Sequence, residues 1–161
     1  MRTAVNAEAS AAIGIALVND LREIAGAAAR IDAFCAERGI APETAYAVNL
    51  ALEELLSNTI AYGYDDERPH RIEVILRLEG AALVVAIVDD GRAFDPTQAP
   101  ETAAAASPED DELGGLGLLL VNRMMDGVEY QRRAGCNVTV LTKNTAPETG
   151  GDAEAEEPTG C

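Results

Sequence analysis

From Arg71 to Glu79 the residues alternate, with Ile72, Val74, Leu76 and Leu78 on one side and Arg71, Glu73, Arg77 and Glu79 on the other. A period of two over that length defines a strand with one dry face and one wet face. Gly80 and Ala81 then turn the chain into residues 83–88, a continuous apolar run with the character of a central strand. Strands joined by so short a turn pair antiparallel. Residues 128–132 and 138–142 repeat the arrangement around Ala134-Gly135. Strands that arrive in hairpins argue against βαβ winding. The expected class is α+β, a two-layer sandwich with a mostly antiparallel, mixed sheet covered on one face by helices.

The helical segments follow from a different period. Residues 13–18 read as a first strand, with Ile13, Ile15 and Leu17 on one face. Asn19 or Asp20 can cap a helix reaching about Arg38, with Leu21, Ile24, Ala28, Ile31 and Phe34/Cys35 at helical spacing and Gly39 closing it. Pro42 suits the first turn of a second helix, from about Pro42 to Tyr62, whose expected buried stripe is Val48, Leu52, Leu55, Thr59 and Tyr62. Residues 63–70 read as a polar turn that leaves His70, the single histidine, at the surface. Residues 117–125 read as an apolar helix, with Met124 and Met125 as core or interface filler.

Between the hairpins, residues 96–113 have neither period and read as a lid or an insertion. The expected organisation is a flexible N-terminus (1–11), one domain (12–143) and an acidic disordered tail (144–161). The formal net charge of −16, from 28 acids against 12 bases, argues against a grip on nucleic acid. Cys35, Cys136 and Cys161 are an odd number without metal-ligand spacing, which fits a reduced, cytoplasmic compartment. The apolar run at 9–18 lies between Glu8 and Asp20 and makes no convincing signal peptide, so no membrane partner is expected.

Three short stretches carry chemistry. Glu54 and Asn58 lie four apart on a helix and project from one face, an arrangement that suits a metal-bound phosphate; a solvated helix face is the plain alternative. Glu53 points further round. Asp89 ends an apolar strand and Gly91 lets the chain turn, which would hold a carboxylate at the floor of a pocket, where a planar ring with an exocyclic amine is a natural partner. An ordinary Asp-Asp-Gly turn is the alternative there, and Asp90 is expected to face solvent. Gly114, Gly115 and Gly117 open a helix, where free N–H groups favour phosphate, although Gly-x-Gly also serves close-packed turns.

In order, these stretches resemble the GHKL ATP-binding superfamily (Bergerat-type, histidine-kinase-like ATPase fold), and within it the bacterial anti-sigma-factor serine kinases of the sporulation and general-stress switches. Residues 52–60 resemble the N box, 88–96 the G1 box and Gly114-Gly115-Leu116-Gly117-Leu118 the G2 box, and residues 120–130 resemble the family's helix-to-strand ending. The resemblance implies ATP and Mg²⁺ as cofactors. Glu54 becomes the catalytic base and Asn58 the Mg²⁺ ligand. Asp89 becomes the adenine-amine acceptor, with Gly91, Ala93, Gly115, Leu116, Gly117 and Leu118 around the nucleotide. Three departures stand out: Ala93 replaces a glycine and would be strained at positive φ, Tyr62 stands where a His is common, and Leu113 precedes Gly114 where some members have Arg. Cys136 stands where the family tends to have Thr and is read as structural.

The function implied is an ATP-dependent protein serine kinase and anti-sigma factor. Such a protein would bind a sigma factor, phosphorylate a serine on a STAS-type anti-anti-sigma partner, and work as a homodimer. The alternative is an ATP/ADP-binding partner-capture module with little or no kinase activity. A detached histidine-kinase catalytic domain fits less well, because no dimerising helix with a candidate phosphoacceptor His is present.

Overall fold

The computed structural model describes residues 11–98 and 115–145. The strands are β1 (Ala12–Val18), β2 (Arg71–Glu79), β3 (Ala82–Asp89), β4 (Gly127–Arg133) and β5 (Cys136–Asn144), and the helices are α1 (Ile24–Glu37), α2 (Pro42–Tyr62) and α3 (Gly115–Met124). The sheet order is β1-β2-β3-β5-β4. Each of its four ladders is antiparallel, so the described sheet has no parallel component. Most of the lid expected over 96–113, the N-terminal residues and the tail lie outside the described residues; Pro96–Gln98 form a short 3-10 turn with Pro96 buried.

Local chemistry sets the boundaries. Asp20 caps a 3-10 turn, Leu21–Glu23, by accepting from Arg22 N, and α1 begins only after it. Leu21 is therefore 57% exposed and leaves the expected stripe. Pro42 occupies the first turn of α2, where its missing N–H would have had no partner. Gly39, at φ 66°, ends α1, and Gly80, at φ 59°, turns β2 into β3. The turn from β4 to β5 puts a non-glycine, Ala134, at φ 51°.

The core lies between the helices and one face of the sheet. Ile72, Val74 and Leu76 on β2 and Leu83, Val85 and Ile87 on β3 point into it, as do Ile15, Leu17 and Leu141, against Ile31, Val48, Leu52 and Leu56 of the helices. Along β3 this dry row ends in Asp89, and along β5 it runs from Leu141 through Thr139 to Asn137. The register pairs Asp89 with Asn137 and Ile87 with Thr139. At that end of the domain the layer between sheet and helix becomes polar. α2 reaches past the apolar rows, so Thr59 and Tyr62 line a cavity there instead of extending the core stripe.

Candidate functional site

A cavity of about 280 Å³ lies at the polar end of the core, close to the lower end of the roughly 300–1,000 Å³ found for ligand clefts. Asn58 on α2, Asp89 at the end of β3, Thr139 on β5 and Arg92 and Ala93 in the following turn all line it. Asp89 is 6% exposed. Its Oδ1 accepts from Gly91 N at 3.0 Å and from Asn137 Nδ2 at 2.8 Å. Among the described residues no donor reaches Oδ2, so that oxygen remains available as an acceptor. Burial raises the Asp89 pKa above the ordinary carboxylate range, against the bonds from Asn137 and Gly91, which lower it.

Asn137 holds this arrangement together. Its amide nitrogen also donates to Arg92 O at 2.9 Å, while its Oδ1 accepts from Tyr130 Oη and from Arg132 Nη1, each at 2.8 Å. Arg132 Nη1 also donates to Gly91 O at 3.0 Å. The turn after Asp89 is thus gripped by β4 and β5. Gly91 does not need its conformational freedom, because its φ is not positive. It is glycine because a Cβ would lie 2.9 Å from Asp89 Oδ1 and 3.0 Å from Gly63 O, the carbonyl that accepts from Arg92 N at 2.7 Å. Ala93 likewise avoids positive φ, so the strain expected of an alanine there does not arise.

The N-box side chains part company. Asn58 faces the cavity, and its buried Nδ2 has no partner among the described residues, so its amide is not committed to an internal bond. Glu54, one turn earlier, is half-buried and does not line the cavity; its carboxylate lies under Gly117, where an added Cβ would be 2.9 Å from Glu54 Cδ. Glu53 points elsewhere, into a groove with Leu21 and Ile24. Gly115 and Leu118 are buried at the start of α3, Leu116 is exposed, and none of residues 115–118 lines the cavity. Asn122 ties α3 to the 3-10 turn by donating to Pro96 O at 3.3 Å.

His70 is not the plain surface residue expected. Its side chain is 17% exposed, with Nε2 2.7 Å from Asp66 Oδ1 and Nδ1 3.2 Å from Asp90 Oδ1. The Asp66 hydrogen bond, followed by that of Asp90, raises its pKa against desolvation. Arg92, a cation on the cavity wall, pairs with Asp65.

The described residues contain no cluster of three or more His, Cys, Asp or Glu able to hold a metal ion. Mg²⁺ does not need one, since it keeps several waters and commonly takes one or two protein oxygens together with substrate phosphates. Asn58 lines the cavity, and the oxygen of its side-chain amide is the kind of ligand Mg²⁺ takes.

The sequence profile of the histidine kinase-like ATPase domain matches residues 17–143 of this chain. The chain belongs to that family. Serine/threonine-protein kinase BtrW of Bordetella bronchiseptica is 36% identical over 104 residues, spanning 65% of this chain and 73% of that protein. Serine-protein kinase RsbW of Bacillus velezensis is 30% identical over 97 residues, and the match covers 58% of this chain and 61% of RsbW, less than two thirds of its length. An anti-sigma F factor of Clostridium beijerinckii is 24% identical over 96 residues, 60% of this chain and 67% of that one. Among solved structures, the RsbU and RsbW domains of Rv1364c from Mycobacterium tuberculosis share the fold, with a TM-score of 0.58 at 15% identity over 83% of this chain and 32% of that one. In this histidine kinase-like ATPase domain no described helix is long and apolar enough to cross a membrane.

Asn137, Thr139, Arg132 and Tyr64 are site residues that sequence reasoning passed over. A signal for two of them exists. Asn137 and Thr139 share the strand parity of buried Leu141, so they are polar side chains at dry positions. The expected strand began at Val138, which left Asn137 in the turn.

Proposed function

We propose that this chain is an ATP-dependent protein serine kinase and anti-sigma factor, which binds a sigma factor and phosphorylates a serine on a STAS-type anti-anti-sigma partner. The observation that carries the nucleotide reading is Asp89, with one carboxylate oxygen fixed by Asn137 and Gly91 and the other left to accept at a cavity wall shared with Asn58. The names of the similar proteins, serine kinases and an anti-sigma factor, support the reaction and the partner class.

In this reading Asp89 accepts the adenine amine, and the backbone N–H groups at Gly115 and Gly117 meet phosphate oxygens at a helix start. The Asn58 amide oxygen would hold Mg²⁺, which would supply neutralisation of phosphate charge. Glu54 takes the proton of the partner's serine hydroxyl while its oxygen bonds to the γ-phosphorus and the bond to the β-phosphate oxygen breaks, leaving ADP and phosphoserine. Residues 12–143 form the working unit, in a cytoplasmic homodimer. Support for pairing comes from the helix-free sheet face, where Ile75, Ala86, Val88, Val138 and Val140 are only half-buried.

One observation favours a second reading, an ATP- or ADP-binding partner-capture module with little transfer. The Glu54 carboxylate rests against Gly117 and not on the cavity wall. Calorimetry with Mg²⁺-ATP on wild type, Asp89→Asn and Asn58→Ala, followed by γ-phosphate transfer to a STAS partner, separates the two. The kinase reading expects binding that Asp89→Asn abolishes and labelling that Glu54→Gln abolishes. Binding without labelling leaves the capture module, and a wild type that binds no nucleotide refutes both.

A further inference from the structure

Tyr64 lines the same cavity as Asp89 and Asn58 and has no part in the mechanism above. Its hydroxyl is buried and has no hydrogen-bonding partner among the described residues. A buried donor left unanswered bears its full desolvation penalty, so a fold that holds one in place needs a reason.

The side chain is firmly mounted. Its ring stacks on His70, with centroids 4.2 Å apart and planes at 19°. His70 is held in turn by Asp66 and Asp90 at its two ring nitrogens, and its backbone N donates to Asn19 Oδ1 at 2.8 Å. Carboxylates only accept, so this pair favours the protonated ring. In that form the cation against the face of the phenol adds attraction to the stack. The mount runs from the end of β1 to Asp90, next to Asp89 in the chain. Burial, reinforced by the Asp89 and Asp90 charges, holds the phenol pKa well above its ordinary range, so the hydroxyl keeps its proton and acts as a donor.

We propose that the Tyr64 hydroxyl is a second base-recognition group of the nucleotide site, donating to a ring nitrogen, N1 or N7, that flanks the amine accepted by Asp89. Adenine presents a donor and an acceptor side by side at this edge, and the cavity offers an acceptor in Asp89 Oδ2 and a donor in Tyr64. Guanine carries a carbonyl oxygen in place of the amine, which would meet the Asp89 carboxylate with the wrong polarity. The inference rests on the reading that the cavity takes a nucleotide.

The test is calorimetry of the full chain with ATP, 1-deaza-ATP and 7-deaza-ATP, on wild type and Tyr64→Phe. The variant keeps the ring and its stack on His70. One neutral hydrogen bond corresponds to a loss of about five- to tenfold in ATP affinity. One of the two analogues should lose about the same factor on wild type and nothing further on Tyr64→Phe. Wild-type affinity equal for all three nucleotides overturns the proposal without reference to any variant. ATP affinity within twofold of wild type in Tyr64→Phe also overturns it, as does an equal loss by the variant for ATP and both analogues, which would put the phenol on sugar or phosphate. If wild type binds ATP and Asp89→Asn abolishes binding while Tyr64→Phe changes nothing, this inference falls alone. If wild type binds no adenine nucleotide, the functional reading falls with it.

Discussion

Replacing Asn137 by alanine removes four hydrogen bonds, to Asp89 Oδ1, Arg92 O, Tyr130 Oη and Arg132 Nη1. They do not count equally. Arg132 is exposed and Tyr130 half-buried, so both can turn to water, and Arg132 retains Gly91 O. Asp89 is buried, and the Asn137 amide is one of only two described donors to its Oδ1. A bond to a charged group contributes about 1.5–3 kcal/mol and one to a carbonyl about 1 kcal/mol, which gives Asn137→Ala a loss of about 3 kcal/mol. That is a large part of the roughly 5–15 kcal/mol expected of a whole domain and corresponds to a fall in Tm of about 10 °C. Urea unfolding measures it directly. The cycle with Asp89→Asn should show coupling above about 1 kcal/mol, because the two residues share one bond. With its Oδ1 anchor halved, the carboxylate is free to rotate, and ATP affinity should fall about tenfold, equivalent to about 1.4 kcal/mol. A loss below about 1 kcal/mol with unchanged ATP affinity would show that Gly91 alone positions Asp89 and that the clamp from β4 and β5 does not.

Protonation of Asp89 should weaken nucleotide binding at a higher pH than an ordinary carboxylate would allow, since its folded pKa is raised by burial; Asp89→Asn should flatten that dependence in a calorimetric pH series. The same shift acts on stability with the opposite sign. The native state takes up this proton more readily than the unfolded chain, so the Asp89 contribution improves as pH falls through the folded pKa, which the difference in pH-dependent urea midpoints between wild type and Asp89→Asn should reveal. Gly117→Ala places a methyl group against the flexible end of the Glu54 side chain, which must swing aside; the loss in urea unfolding should stay below about 1 kcal/mol and vanish in a Glu54→Ala background. Ala134→Gly should raise stability by about 0.5–1 kcal/mol by removing a Cβ from a backbone at φ 51°, measured as a higher Tm.

Much of the fold was legible because its signals are local. The alternation over Arg71–Glu79, the capping by Asp20, Pro42 at the start of α2 and glycines at positive φ each act within a few residues. What escaped depends on contacts far apart in the chain. Gly91 could be read as a turn residue, yet its constraint is the approach of Gly63, 28 positions earlier, and nothing near Gly91 records that. His70 looked like a loop histidine because Asp90 reaches it only when the turn after β3 folds back beside it.

Contacts between distant segments also account for the end of the core, where periodicity locates the apolar rows but not the cavity beyond them. Helical spacing extended the buried α2 stripe to Thr59 and Tyr62, but Thr59 is only half-buried, Tyr62 is 44% exposed, and both line the cavity. The sheet beneath them is no longer apolar: Asp89, Asn137 and Thr139 occupy the positions that Ile87, Leu141 and their neighbours fill further along. An apolar stripe on a helix predicts burial only where the facing strand is also apolar. Where the strand turns polar at its dry positions, the layers no longer fill the space between them, and the gap becomes a cavity lined by uncommitted donors and acceptors, here Asn58 Nδ2, Tyr64 Oη and Asp89 Oδ2. Polar residues at core parity on two adjacent strands, in register with each other, therefore mark this cavity, and the pairing of Asn137 on β5 with Asp89 on β3 is what brings the amide to the carboxylate.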